Sequence, residues 1–373
     1  MAQRSFFFAG GGTGGHIYPA VAVAKRIVEK EPWVRIHFFC SERPIDAQIL
    51  DKTGFEYTRL PAMGLSFKPG KLAGFCTSLV RSYAIAKRMI GKSGNCVVLG
   101  VGGFVAAPVC LAAHSLHVPV KLLNVDMVPG KANRVIARWA DEIFVQFEET
   151  AKYFGKNRYK INVTGCPLRK GFGDANPAQI KRKLGLDLTK RTLLITGASS
   201  GSANINDAVC LLLERLADFS DDWQIIHLTG AGNYEKVRRA YEGSRIGHNV
   251  LSYFDDMPGL LAAADLVVGR SGAVSVAEYA AAGVPSICLP YPYHKDRHQY
   301  LNAGKLAEAG AAVIVEDSAD ESQRAERLWR AMETLMLDGN ARARMKGACA
   351  KISRLDAGLR IAERLLGYAT GSA

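Results

Sequence analysis

The sequence predicts an α/β protein built on doubly wound parallel sheets and divided into two similar domains. Three observations carry that expectation. Short apolar runs lead repeatedly into glycine turns and then amphipathic helices, the order that parallel strands with crossover helices require. Two such strand–glycine units fall in each half of the chain, which implies two like domains with a cleft between them. The 373 residues, 48% apolar and 22% charged, suit well-packed domains and exclude a disordered or collagen-like chain.

In chain order, residues 5–9 form an apolar strand that runs into Gly10 to Gly15, and a helix follows from about Tyr18 to Lys30. Residues 97–99 run into Gly100 to Gly103. The stretch 97–120 lacks Asp, Glu, Lys and Arg and is long enough to span a membrane, but its glycines and Pro108 and Pro119 parse it as strand, turn and buried helix. A strand over 160–164 ends at Gly165-Cys166-Pro167, and the Gly, Asp, Asn and Pro of 170–177 mark the domain boundary there. The expected division is 1–167 and 168–355, with residues 356–373 as a terminal helix whose packing is open. In the second half, 193–196 run into Gly197 to Gly201 and 266–268 into Gly269 to Gly272.

Eight cysteines are scattered with no Cys-x-x-Cys, several inside apolar runs, as buried free thiols would be. The first apolar run is too short for a secretory signal, so a cytoplasmic protein is expected. The formal charge is +13. No nucleic-acid motif or aromatic stacking platform accompanies it. Between 65 and 92, Lys68, Lys71, Arg81, Lys87, Arg88 and Lys92 interleave with Phe67, Leu72, Phe75, Leu79, Ile85, Met89 and Ile90. That composition suits a segment resting on an anionic bilayer, or an amphipathic helix with a solvated basic face.

Three turns can hold anions. Gly10-Gly11-Gly12-Thr13-Gly14-Gly15 satisfies G-x-G-x-x-G between strand and helix, with His16 where a Walker loop would carry its lysine. His16 is either a proton acceptor at the mouth of the turn or only a cap of the helix. Gly197-Ala198-Ser199-Ser200-Gly201 and Arg270-Ser271-Gly272-Ala273-Val274-Ser275 are the other two, with Ser199 and Ser271 adding hydroxyls and Arg270 adding charge. Glu278 can accept both ribose hydroxyls or pair within the fold. The segment Pro290 to Tyr300 sets His294, Lys295, Asp296, Arg297, His298 and Gln299 at a strand's carboxyl end, where such folds bind ligands. A metal reading of its histidines lacks His-x-x-x-His and a carboxylate pair, and no Asp-x-Asp occurs.

GGGTGGHIYPAVAVA at 10–24, GVGGFVAAP at 100–108, VPGKANR at 128–134, FDDM at 254–257, RSGAVSVAE at 270–278, AAAGVPSICLP at 280–290 and HKDRHQYLNA at 294–303 together resemble the MurG family. These are the peripheral-membrane N-acetylglucosaminyltransferases of peptidoglycan synthesis, in glycosyltransferase family 28. The resemblance runs in register from about residue 5 to about 315. It implies a GT-B fold, two Rossmann-like domains with parallel sheets facing an interdomain cleft. The implied activity is an inverting, metal-independent and cofactor-free transfer of N-acetylglucosamine from its UDP donor. The implied acceptor is the C4 hydroxyl of the muramyl sugar in lipid I, giving lipid II at the cytoplasmic face of the bacterial plasma membrane.

Position by position, the resemblance puts Thr13, Gly14 and Gly15 near donor and acceptor and makes His16 the base. Arg169 matches a donor-site arginine, Ser199 a serine on the diphosphate, and the Phe254 backbone a uracil contact. Ala273, Val274 and Ser275 match the nucleotide-binding turn, with Glu278 on ribose. Gln299 matches a glutamine that reads the transferred sugar, beside His298 where the family has a second glutamine. The chain departs from the family's usual His-Glu-Gln-Asn before VPG, reading Leu123-Asn124-Val125-Asp126. Asp126 stands there as a donor-sugar or acceptor contact or as a second base. Two other readings stay open: a related transferase with another lipid acceptor, and a non-catalytic UDP-sugar-binding protein at a membrane surface. A nicotinamide enzyme, suggested by the first glycine loop, would leave the second domain's cradles without a role.

Overall fold

The structure, a computed structural model, describes residues 3–64 and 69–369, without the side chains of 69–71, 199 and 369. Leu65, Phe67 and Lys68 of the basic segment lie outside the described residues, as does the side chain of Lys71. Two compact units form, one from Met1–Arg169 with Arg354–Ala373 and one from Lys170–Ser353.

In the first unit, seven strands form one parallel sheet: β1 (Arg4–Gly10), β2 (Arg35–Ser41), β3 (Glu56–Leu60), β4 (Asn95–Gly102), β5 (Val120–Asn124), β6 (Glu142–Val145) and β7 (Ile161–Val163). Their order is β3-β2-β1-β4-β5-β6-β7. β1 is buried on both faces, as a central parallel strand must be. Phe7 and Ala9 join Phe39, Val98 and Val109 in the core on one side. On the other, Phe8 stacks on Phe38 at 4.9 Å between ring centroids. The uncharged stretch 97–120 resolves into β4, the helix Gly103–Ser115 and the approach to β5. No helix among the described residues is long and apolar enough to cross a membrane.

The second unit holds β8 (Arg191–Thr196), β9 (Trp223–Leu228), β10 (Gly247–Leu251), β11 (Leu266–Gly269), β12 (Ser286–Cys288) and β13 (Ala312–Ile314). All pair in parallel in the order β10-β9-β8-β11-β12-β13. Trp223, Tyr241, Trp329 and Met332 are among the large side chains that fill its core. In each sheet the chain winds one way from its first strand and then returns to wind the other way. The connections therefore diverge between β1 and β4 and between β8 and β11, where an α/β sheet opens a crevice at its carboxyl edge.

The terminal helix Ala357–Ala369 belongs to the first unit. Its Ile361, Ala362 and Leu365 are buried. Lys30 reaches its Glu363 at 2.9 Å, and a Cβ at Gly358 would meet Arg26 and Ala22, so it packs on the helix Gly14–Lys30. Residues 354 and 355, expected in the second domain, also sit with the first unit, as do 168 and 169.

Six of the eight cysteines are buried, Cys210 is half-buried and Cys76 exposed; none is in a disulfide. Burial pushes the Cys110 and Cys288 thiols up to about 12, which keeps them protonated and inert.

Candidate active site

In the first unit the switch point is built around the glycine loop. β1 ends at Gly10, and the helix begins at Gly14, earlier than the periodicity indicated, so His16 lies in its first turn. Thr13 is the N-cap residue but its side chain caps nothing.

The loop is held from below by a residue the sequence reading passed over. Asp46, fully buried in the short helix after β2, accepts hydrogen bonds from the Gly12 N–H at 2.9 Å, the Ser41 N–H at 2.9 Å and the Ser41 hydroxyl. Arg43 donates to the Gly12 carbonyl at 2.9 Å, so the peptide units on both sides of Gly12 are tied to the β2 connection. A Cβ at Gly11 would overlap the Asp46 carboxylate. The only sequence signal was an acid in the turn after the second strand, and that signal does not say which loop it faces.

This clamp sets the state of His16. Its Nδ1 lies 3.1 Å from the Gly11 carbonyl oxygen. A carbonyl only accepts, so Nδ1 donates and the neutral ring keeps its lone pair on Nε2. The Nε2 edge rests on Gly102 at the end of β4. With φ of +117° that residue must be glycine, and a Cβ there would stand 3.1 Å from both Cδ2 and Nε2. His16 is half-buried and presents a basic nitrogen at the carboxyl edge of the sheet. Behind Gly102, Asn133 and Asn124 form a buried amide pair, with the Asn133 Nδ2 donating to Asn124 Oδ1 at 2.9 Å. Leu123, Asn124 and Val125 are buried and Asp126 is half-buried, so most of the departure before VPG lies beneath the site surface.

Arg169 also falls in the first unit, its guanidinium 4.2 Å from the centre of the Tyr18 ring.

In the second unit two loops flank the switch point. β8 runs through Gly197 and a single turn at Ala198–Ser200 to Gly201. Gly201, at φ +74°, lies against the Thr229 carbonyl with no room for a side chain. The side chain of Ser199 lies outside the described residues. After β11, Gly272 is the N-cap of the helix Ala273–Ala282, which has no side-chain cap and no acid in its first turn. Its leading N–H groups and dipole thus suit an anion. Glu278, 6% exposed, lies farther along the same helix.

Arg270 does not supply charge to that turn as the sequence suggested. Its guanidinium donates to the fully buried Asp317 side chain at 2.7 Å and to the Leu289 carbonyl at 2.9 Å. The ion pair fixes the strand ends instead, because a buried carboxylate holds the nearest guanidinium strongly. Ser271 likewise donates to the Gln299 carbonyl at 2.9 Å, and Asn302 donates to the Ser271 carbonyl at 3.2 Å. These bonds bring the turn 270–275 and the start of the helix His298–Glu308 together. The Gln299 Oε1 accepts from the Tyr291 N–H at 3.0 Å. His298 pairs with Asp296 at 2.7 Å and stacks on His294. Phe254 stands apart, in the loop between β10 and the helix Met257–Ala263, with the Lys183 ammonium 5.0 Å from its ring centre. Among the described residues no group of three or more His, Cys, Asp or Glu side chains could hold a metal ion.

Residues 6–145 match the model of the glycosyltransferase family 28 N-terminal domain and 192–358 that of the family 28 C-terminal domain. The chain is 35% identical over 310 residues, 83% of its own length and 84% of the relative's, to the UDP-N-acetylglucosamine-N-acetylmuramyl-(pentapeptide) pyrophosphoryl-undecaprenol N-acetylglucosamine transferase of Thermodesulfovibrio yellowstonii. It is 33% identical over 356 residues to the protein of the same name from Alkaliphilus metalliredigens, covering 94% and 95% of the two chains. Among solved structures it is similar to Acinetobacter baumannii MurG, with a TM-score of 0.70 at 24% identity over 98% and 99% of the chains. It shares its fold as well with the Neisseria meningitidis UDP-GlcNAc 2-epimerase, with a TM-score of 0.69 at 13% identity over 98% and 100%.

Proposed function

The chain belongs to glycosyltransferase family 28, and on that premise we propose that it transfers N-acetylglucosamine from UDP-N-acetylglucosamine to the C4 hydroxyl of the muramyl sugar of lipid I, forming lipid II for peptidoglycan. The fold is GT-B. The observation that carries the chemistry is the state of His16, whose Nδ1 is tied to the Gly11 carbonyl so that Nε2 is left to accept a proton.

In an inverting displacement the Nε2 of His16 takes the proton of the acceptor hydroxyl as its oxygen bonds to C1 of N-acetylglucosamine. The C1–oxygen bond to UDP breaks with its electron pair leaving on the diphosphate. Thr13, Gly14 and Gly15 shape the acceptor side of this step. The start of the helix Ala273–Ala282, which has no side-chain cap, receives the diphosphate charge through Ala273, Val274 and Ser275 together with Ser199, and fixed N–H donors of this kind need no reorganisation as charge develops. Glu278 takes the ribose hydroxyls, the Phe254 backbone the uracil, and Gln299 with His298 the hydroxyls of the transferred sugar. Arg169 neutralises donor charge, and Asp126 borders the acceptor.

The enzyme works at a membrane surface in this reading. Leu72 and Val80 on the helix Pro69–Ile90 are 44% and 64% exposed, and Met63 and Phe104 nearby are also exposed. A Cβ at Gly74 would meet the Met63 sulfur, and one at Gly64 the Phe104 ring, so Met63 lies against this helix and Phe104 against Gly64. Arg81, Lys87 and Arg88 of the same helix and Lys92 just beyond it are exposed. Exposed apolar side chains and cations along one helix suit the anionic cytoplasmic leaflet. Sedimentation with anionic vesicles checks this: Leu72→Asp with Val80→Asp is expected to abolish binding that the native chain shows, and equal binding of both would remove this face from the assignment.

The transfer is tested by incubating the protein with radiolabelled UDP-N-acetylglucosamine and a soluble lipid I analogue, with EDTA present. Label in the lipid product is expected. His16→Ala is expected to lower kcat by about 10²–10⁴ with the donor KM unchanged. Donor binding without transfer would favour the non-catalytic reading, and transfer to a different lipid hydroxyl would reassign the acceptor.

A further inference from the structure

Behind His16 one buried polar atom has no partner, and a chain of hydrogen bonds fixes which atom it is. The Asp126 backbone carbonyl can only accept, so the amide nitrogen of Asn124, 2.7 Å away, is the group that faces it. Asn124 must then turn its Oδ1 to Asn133, which accepts from the Asn133 Nδ2 at 2.9 Å. Neither amide can flip without setting two donors or two acceptors against each other. The Asn133 Oδ1 is thereby turned away from the pair, and it is buried with no hydrogen-bond partner although Asn133 is only 6% exposed.

The place of that oxygen is defined by Gly102. The point where a Cβ of Gly102 would sit is 3.3 Å from the Asn133 Oδ1 and 3.1 Å from the His16 Nε2. The lone pair that takes the proton and an acceptor with no donor therefore lie on the same side of Gly102, the side that a side chain would crowd. A buried carbonyl oxygen is costly without a donor, and natural folds keep few such atoms except where function requires them.

We propose that the Asn133 Oδ1 accepts a hydrogen bond from a hydroxyl of the acceptor sugar beside the reacting one, making Asn133 a specificity-determining residue for the acceptor. The proposal rests on the lipid I reading above. On a sugar that reacts through its C4 hydroxyl and carries an ether at C3, the nearest remaining hydroxyl donor is the exocyclic one at C6. With O4–H donating to His16 and O6–H to Asn133, two bonds fix the rotation of the sugar about the attacking oxygen, and orientation of that kind bears on the rate of the chemical step.

The experiment compares transfer to a soluble lipid I analogue and to its 6-deoxy and 6-O-methyl counterparts by the native enzyme and by Asn133→Ala. A site built to bond a hydroxyl discriminates against the analogue that lacks it. The native enzyme is expected to prefer the 6-hydroxy acceptor by about 10- to 100-fold in kcat/KM. Asn133→Ala is expected to lose that preference while keeping the donor KM. The 6-O-methyl counterpart, which keeps the oxygen but cannot donate, is expected to be disfavoured by the native enzyme as the 6-deoxy one is, and it carries the comparison if the alanine variant does not fold. Equal rates with the 6-hydroxy and 6-deoxy acceptors in the native enzyme, full preference in the alanine variant, or transfer to the 6-O-methyl acceptor at the 6-hydroxy rate would each overturn the proposal and leave the lipid I reading standing. Donor binding with no transfer to the 6-hydroxy analogue would instead overturn the lipid I reading, and the Asn133 assignment with it.

Discussion

The orientation of His16 depends on residues beneath its loop. Asp46 holds the Gly12 N–H and Ser41, and through the loop sets the Gly11 carbonyl that orients His16. Asp46→Ala leaves three donors without an acceptor, the two of Ser41 buried, at about 1–3 kcal/mol for each donor that cannot reach water. The expected outcome is a fall in stability of several kcal/mol in urea unfolding, with the residual kcat lowered and the donor KM near native. A variant with native stability and full activity would show that the loop holds itself. His227 gives a second residue with a pH signature. It is fully buried between the Tyr241 hydroxyl and Asn206 Oδ1, both at 3.0 Å, and burial lowers its pKa to about 3. Above the unfolded value of about 6.5 both states are neutral and pH has no effect through this group. Below it the unfolded chain binds a proton that the native chain refuses, so stability falls by about 1.4 kcal/mol per pH unit down to about 3. Urea midpoints between pH 7 and 4 are expected to fall less steeply for His227→Gln, and identical slopes would remove His227 from the acid limb.

Among the elements, the terminal helix shows most clearly how far a sequence can be read. Its apolar spacing is plain in the chain, but the helix Gly14–Lys30 that receives it lies more than three hundred positions earlier, and Glu142, which meets its Arg364, more than two hundred. No local pattern could name the helix Gly14–Lys30 as its partner. Leu365→Asp places a carboxylate in that seam and is expected to destabilise the first unit by about 3 kcal/mol or more. Limited proteolysis is expected to cleave that unit first while the second survives; equal survival would show the seam to be dispensable. The strands were legible for the opposite reason. Phe6-Phe7-Phe8 and 193–196 are continuous apolar runs because a central parallel strand is buried on both faces, and that condition is local. The glycine turns were legible as patterns between strand and helix, and so was the place of His16 beside the first of them. What stayed hidden were the contacts across strands. Arg270 reads as a free cation beside a glycine turn, and only the return of Asp317 from forty-seven residues later neutralises it. Asn133 reads as one letter of VPGKANR, and its orphan oxygen exists only because Asn124 is its neighbour on the sheet edge.

At the scale of the whole molecule, one winding rule is used twice, and each sheet presents a different chemistry at its switch point. The first offers a lone pair beside a glycine-bared surface. The second offers a helix start without a side-chain cap, joined to a polar cluster through Ser271 and Gln299. On the proposed function the nucleotide belongs to the second unit, and hydrogen exchange can test that region by region. With UDP at about 100 times its Kd, the protein that binds it gains about 2.7 kcal/mol. Slower exchange is expected at 197–201, at the first turn of the helix Ala273–Ala282 and at residues 298 and 299, whose backbone Ser271 already holds. The amides of 11–16 are expected to exchange at their unliganded rate, because the loop that positions His16 is fixed by Asp46 and Arg43 and not by the nucleotide. Protection concentrated at 11–16, or absent from 273–276, would move the diphosphate to the first glycine loop and take the base assignment of His16 with it.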